Sequence, residues 1–439
     1  MSELAIKDTE ARKRLVALFD DGVFTEIDAF AKSASGDVEV VVGFGTVNGA
    51  PAYAFSQDVT VNGGAVSVAQ CAKIKKIYDL ATKTGCPVIG VYDSNGMNLK
   101  EGFEGLSAYG EIVKASSAVS GVVPQISVIA GAAVGTTALI ANMADIVIAV
   151  KGADFYITAP SEVTAEESAK EGTVDITAED YDSAVKAVRD LLTLLPSNNL
   201  STPPVYDFSE PAASADTGAS AAEIINASAD AGSVVELKAA YAENVVTALG
   251  SVAGSAVGFV GFDGKALCPA CAYKAEAFVK LCDAFNIPVV TFLNSDGLCK
   301  ERENQMLVAA TKLTAAYAAA TCPKFSVITG KAVGAAYITL AGRGSNADLA
   351  YAWDTAVVSP LDTKAAVAFL YNDRLAAGEN RDALEKEYES DMASPFTAAA
   401  CGAIDDVFVP AETRAKIIAA LDVLAGKRET TIPRKHSVK

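Results

Sequence analysis

The sequence predicts an α/β fold made twice in tandem, and three observations lead to it. An internal repeat spaced by about 200 residues runs through the chain. Each copy interleaves short Val/Ile-rich runs with longer periodic apolar stretches, the pattern of strands between helices. A segment rich in Pro, Ser and Asn separates the copies.

The first copy contains KIKKIYDLATKTGCPVIGVYDSNGM from Lys73, and the second KAEAFVKLCDAFNIPVVTFLNSDGL from Lys274. Downstream, PQISVIAGAAVGTTALIANMADIVIAV from Pro124 matches PKFSVITGKAVGAAYITLAGRGSNADLAYAW from Pro323. In order, each copy reads as an apolar periodic helix, a small-residue turn, a short strand and a polar Gly-containing loop. After a further helix comes a second strand, SVIAG or SVITG, which runs into a turn at Gly135 or Gly334 and a helix rich in Ala, Leu and Ile. Strands interleaved with helices and buried on both faces imply a mainly parallel sheet. Between the copies, residues 158 to 230 are acidic and polar. One short helix is expected there, from Tyr181 to Leu195, and the rest reads as a linker or strap. The boundary is placed near residues 200 to 230, giving domains 1–220 and 221–439.

Composition supports two filled cores: 439 residues with 51% hydrophobic and 21% charged side chains. The N-terminal run MSELAIKDTEARKRL lacks the apolar centre of a signal peptide, and no apolar run reaches the roughly 18 residues of a membrane span, so a cytoplasmic location is expected. A formal net charge of -18 argues against a nucleic-acid partner, which demands clustered cations. A small anionic ligand stays compatible, since a few local cations or helix N-termini suffice. The single histidine, His436, sits in the tail, so no Ser-His-Asp triad, Cys-His pair or imidazole base can form in the body of the chain. Of eight cysteines, Cys268 and Cys271 form one C-x-x-C. Without a second such pair no metal site is expected, and these read as core or loop cysteines.

Chemistry then falls to the backbone. At Gly135 and Gly334 a strand ends in small residues and a helix begins at once, exposing N–H groups and the positive end of a dipole. The loops Asp93 to Met97 and Asn294 to Leu298 would supply a second donor, and two N–H groups on one oxygen stabilise an enolate formed from a thioester. The plainer alternative is close helix–sheet packing. Asp93 and Glu101 read as solvated or capping residues. Lys331 and Arg343 flank the second loop as carboxylate contacts or ordinary surface cations, and Tyr337 and Trp353 read as packing residues. Lys73 and Lys274 either reach a coenzyme A phosphate or solubilise their helices.

Ordered motifs over most of the chain carry a resemblance. They include GTVNG at Gly45 to Gly49, FSQD at Phe55 to Asp58, PVIGVYDSNG, Glu101 with Gly102, VPQISVI, LLPSNN at Leu194 to Asn199, CDAFNIPVVTF, CPKFSVITGKAVGAAY and SPFTAAACGAIDDVF. In these the chain resembles the carboxyltransferase subunits of biotin-dependent acyl-CoA carboxylases and decarboxylases. The resemblance implies two tandem crotonase-like (ClpP/crotonase) ββα-superhelix domains, the first holding an acyl-CoA thioester and the second carboxybiotin. It assigns the thioester enolate to N–H groups at Gly96, Met97, Gly135 and Thr136. It assigns the biotin ureido oxygen to those at Gly297, Leu298, Gly334 and Ala335.

The implied activity moves a carboxyl group between carboxybiotin and an acyl-CoA. No A-M-K-M biotinylation motif is present, so biotin is expected on a separate carrier protein. The implied partners are that biotin carboxyl carrier protein and a biotin carboxylase or a decarboxylase membrane subunit. A homodimer or hexamer is implied, with the site formed between neighbouring subunits. The chain departs from the family at Val134, Gly135, Thr136 and Thr137, where A-G-G-A is usual, and at DSNGMN, where D-S-G-G-A-R is usual. CKEREN after NSDGL replaces a usual P-G-T. These departures keep two other readings open: a non-catalytic structural or regulatory sister subunit, and a biotin-independent crotonase-type acyl-CoA enzyme.

Overall fold

A computed structural model describes residues 8–33, 36–158, 161, 163–343 and 346–431; His436 lies outside them. The chain divides into two compact units, Met1–Pro204 and Val205–Lys439. Each is built on an eight-stranded mixed sheet.

In the first unit, strands Phe24–Glu26, Val40–Val47, Ala50–Gln57, Val88–Ser94, Gln125–Val134, Ile146–Val150 and Ile176–Ala178 lie side by side in chain order. The second repeats this with Val235–Leu237, Val245–Val252, Ser255–Phe262, Val289–Ser295, Lys324–Val333, Leu349–Trp353 and Asp406–Phe408. Within each sheet the first three strands are antiparallel and the later ones parallel. The parallel strands are mostly apolar in their middles because helices cover them; Val88–Ser94 is buried at every position. A short extra strand, Asp154–Tyr156 or Val357–Ser359, pairs with the far end of Gln125–Val134 or Lys324–Val333.

Each antiparallel hairpin closes on a two-residue turn with positive φ at both positions: Asn48 and Gly49 at 52° and 77°, Ala253 and Gly254 at 50° and 79°. A carboxylate takes both turn N–H groups. Asp20 accepts from Asn48 and Gly49 and pairs with Arg189 at 2.8 Å. Asp230 accepts from Ala253 and Gly254 and pairs with Arg414 at 2.6 Å. Burial alone raises the Asp20 carboxyl, but the Gly49 N–H and Arg189 outweigh it and hold the group at about 2.

Residues 158 to 230 do not form one linker. Helix Ala165–Lys170, strand Ile176–Ala178 and helix Tyr181–Leu194 complete the first unit, with Val188 and Leu191 fully buried. Their polar residues are largely helix caps: Thr164 and Glu167 make a reciprocal capping pair, and Asp180 caps the next helix. The stretch without regular structure is 195–220. No helix among the described residues is long and apolar enough to cross a membrane.

Candidate functional site

In both sheets the pairing of the two central parallel strands slips by a bulge, between Tyr92 and Ser94 in one and between Leu293 and Ser295 in the other. Asp93 or Asn294 sits in the slip. Its Oδ1 accepts a neighbouring strand's N–H, from Ala132 at 3.3 Å or Lys331 at 3.0 Å. A Cβ on Gly131 or Gly330 would stand 2.3 Å from that oxygen, so only glycine lets the side chain fold back there. Asp93 is not solvated, as its strand-end position suggested. It is 6% exposed, and its Oδ2 pairs with Arg14 at 2.7 Å.

The serine after the bulge shapes the loop. Ser94 Oγ accepts the Gly96 N–H at 3.2 Å, and Ser295 Oγ accepts that of Gly297 at 3.3 Å. Val66 and Leu267 then fasten the loops from the side: each donates its N–H to the Gly96 or Gly297 carbonyl at 2.8 Å. Each also accepts from Asn98 or Cys299, at 3.0 and 2.9 Å. A Cβ on Gly96 would lie 3.6 Å from the Val134 carbonyl oxygen, which sets this loop beside the start of the next helix.

Those helices, Thr136–Ala141 and Ala335–Leu340, begin at Gly135 and Gly334, whose φ values are 64° and 53°. The two glycines spend their own N–H groups on Tyr156 and Ser359 carbonyls, at 3.0 and 2.9 Å. Of the eight proposed donors, the four glycines therefore shape the loops while Met97, Thr136, Leu298 and Ala335 have N–H groups without a partner among the described residues. At Thr136 and Ala335 this follows from their place in the first helical turn.

Along the later part of the first helix, at Ala138, Leu139 and Asn142, lies a mostly apolar cavity of about 390 Å³, lined also by Phe155, Ile157 and Val163. Glu101 accepts the Val68 N–H at 2.6 Å and so caps a helix, as expected. Lys331 pairs with Asp296 at 2.9 Å and Arg343 with Asp405 at 2.8 Å. Tyr337 bonds the Ala403 carbonyl, and Trp353 is buried against Thr413.

Lys73 and Lys274 do neither of the things expected of them. Both are buried, and their Nζ atoms cap carbonyls: Val40 at 3.1 Å for Lys73, and Lys238 and Tyr241 at 2.9 Å for Lys274. Burial lowers each ammonium to about 8. The cysteines are free, and no group of side chains among the described residues could hold a metal ion. Sequence reasoning passed over Ser94 and Ser295, although YDSNGM and LNSDGL carry serine at matched positions.

The carboxyl transferase domain model matches residues 7–438. Methylmalonyl-CoA decarboxylase subunit alpha of Veillonella parvula is 33% identical over 97% of this chain and 92% of its own length. Propionyl-CoA carboxylase beta chain of Saccharopolyspora erythraea is 35% identical over 97% of this chain and 89% of its own. Among solved structures, the transcarboxylase 12S hexamer with methylmalonyl-coenzyme A and methylmalonic acid bound superposes with a TM-score of 0.91 at 33% identity, covering 98% of this chain and 92% of the other.

Proposed function

Because the chain belongs to the carboxyl transferase family, with the crotonase-type duplicated fold of the biotin-dependent acyl-CoA carboxyltransferases, we propose that it moves a carboxyl group between biotin on a separate carrier protein and an acyl-CoA of the propionyl/methylmalonyl class. The observation that carries this is the pair of unspent N–H groups in each unit, Met97 with Thr136 and Leu298 with Ala335.

In the first unit these donors meet the thioester oxygen as the α-carbon gives up its proton to biotin or, in the reverse direction, its carboxyl group, and negative charge moves onto that oxygen. Neutral N–H groups suit an acceptor that is uncharged before the step and anionic during it. Biotin supplies the carboxyl group and a ureido oxygen on which charge grows. In the second unit the Leu298 and Ala335 N–H groups fit that neutral acceptor, and no cationic side chain is needed. The apolar cavity lined by Leu139, Ile157 and Val163, along the helix that begins at Thr136, receives the acyl chain. In this reading the first unit is the acyl-CoA side and the second the biotin side, with a biotin carboxyl carrier protein as partner and a cytoplasmic setting.

A homo-oligomer belongs to the same proposal. Leu106 and Leu139 in the first unit and Leu307 and Ile338 in the second, at repeat-equivalent positions, are between 46% and 65% exposed. Apolar side chains recurring around both candidate sites mark a face that a neighbouring subunit covers. The half-buried Thr136, a departure from the A-G-G-A pattern of the resemblance, favours the sister-subunit reading as second choice.

The test mixes purified protein with methylmalonyl-CoA and a biotinylated carrier and follows carboxyl transfer by mass. Transfer that depends on both substrates supports the proposal. Stable association with an intact carboxyltransferase, with no acyl-CoA binding and no transfer, establishes the sister subunit instead.

A further inference from the structure

The cap of helix Pro269–Ala284 differs from its counterpart in the first unit in a way the fold does not require. On helix Val68–Thr84 the cap is Ser67, whose Oγ accepts the Gln70 N–H at 3.1 Å. At the repeat-equivalent positions stand Cys268 and Cys271. Cys268 Sγ accepts the Cys271 N–H at 3.2 Å, and the two sulfurs lie 2.6 Å apart. Capping needs one acceptor, as Ser67 demonstrates, so the second sulfur has no part in it.

The pair is also asymmetric. Cys268 is half-exposed and Cys271 fully buried, whereas Cys71, Cys86, Cys282 and Cys322 are all buried. The Cys268 sulfur stands at the N-cap of this 16-residue helix, half-exposed, with the buried Cys271 sulfur directly behind it. Burial pushes the Cys271 thiol up to about 12, which leaves the half-exposed Cys268 as the attacking sulfur.

We propose that Cys268 and Cys271 form a reversible dithiol–disulfide couple that exchanges with low-molecular-weight disulfides. The Cys268 thiolate attacks a sulfur of the external disulfide, forming a mixed disulfide and expelling one thiolate, which takes up the Cys268 proton. Cys271 then loses its proton to the second departing thiolate and bonds to Cys268 Sγ. The two cysteines are oxidised, and one external disulfide becomes two thiols.

Closure brings the sulfurs from 2.6 Å to about 2.05 Å, next to Leu267. Leu267 holds both sides of the Gly297–Cys299 loop through its N–H and carbonyl. Oxidation therefore shifts the Leu298 N–H, a consequence that rests on Leu298 being a donor; the disulfide itself does not.

The intact protein is equilibrated across oxidised-to-reduced glutathione ratios, alkylated and digested. Expected is a 268–271 disulfide that grows with the ratio and disappears with dithiothreitol, together with glutathione trapped on Cys268 in Cys271→Ser. Hydrogen exchange at the Leu267 and Cys299 amides changes severalfold on oxidation. It stays unchanged in the double variant Cys268→Ser/Cys271→Gln, which rebuilds the first unit's cap. If both thiols remain alkylatable in excess oxidised glutathione while Cys401 is modified, the couple is overturned. A disulfide without altered exchange overturns its coupling to the loop. Both readouts are independent of carboxyl transfer.

Discussion

Gly131 and Gly330 face the folded-back oxygens of Asp93 and Asn294 with no room for a methyl group. Gly131→Ala and Gly330→Ala should each cost about 1–3 kcal/mol by overpacking, read as a lower urea midpoint with unchanged slope. Ala253 holds φ at 50° where its counterpart is Asn48, a residue suited to that region. Ala253→Asn should stabilise by about 0.5–1 kcal/mol, seen in the same titration. The buried lysines set a pH trend. An ammonium held at about 8 folded and at the usual 10.5 unfolded binds fewer protons in the folded state between those values. Stability therefore rises as pH climbs from about 8 toward about 10, by on the order of 2–3 kcal/mol per lysine, with no slope from these groups below that window. Lys73→Met should remove its share, measured as urea midpoints at about pH 7.5 and about pH 9.5. None of this was legible in the sequence. A lysine on a periodic helix looks solvated until the strand carbonyls it caps are placed beside it, and the partners of Asp93 come from residues as distant as Arg14.

The helix starts are where element geometry and chemistry meet. Thr136→Pro and Ala335→Pro delete one N–H each while placing proline at the first helical position, where it is tolerated. Each should lower kcat about 100- to 1000-fold with KM little changed and the circular dichroism spectrum retained. Thr136→Ala, which keeps the N–H, should stay near the parent. The strand–turn–helix order at Gly135 and Gly334 was readable because repeated small residues announce a tight turn twice. Which member of each pair has a free N–H was not readable. That depends on Tyr156 and Ser359, contributed by the short strands Asp154–Tyr156 and Val357–Ser359, which no periodicity announced. Helix Tyr181–Leu194 was expected as a short helix from Tyr181 to Leu195, but its docking was masked by the acidic caps around it.

For the whole molecule, the duplication was the strongest signal, since matched motifs about 200 residues apart fix the architecture without any single motif being decisive. Assembly is tested at this scale too. Leu106→Glu together with Leu307→Glu places charge on both exposed apolar faces and should shift the species seen by light scattering to a smaller one while the fold is retained. Finally, apart from the short strands Asp154–Tyr156 and Val357–Ser359, the strands of each sheet lie in the order in which the chain presents them. A nascent chain emerging from the ribosome can therefore lay down the Val40–Gln57 hairpin first and add every later strand to an open edge, never prying apart a pair already made. The slow parallel crossovers are thus met one at a time during translation, and a chain arrested just past Pro204 already holds every strand its first sheet will ever need.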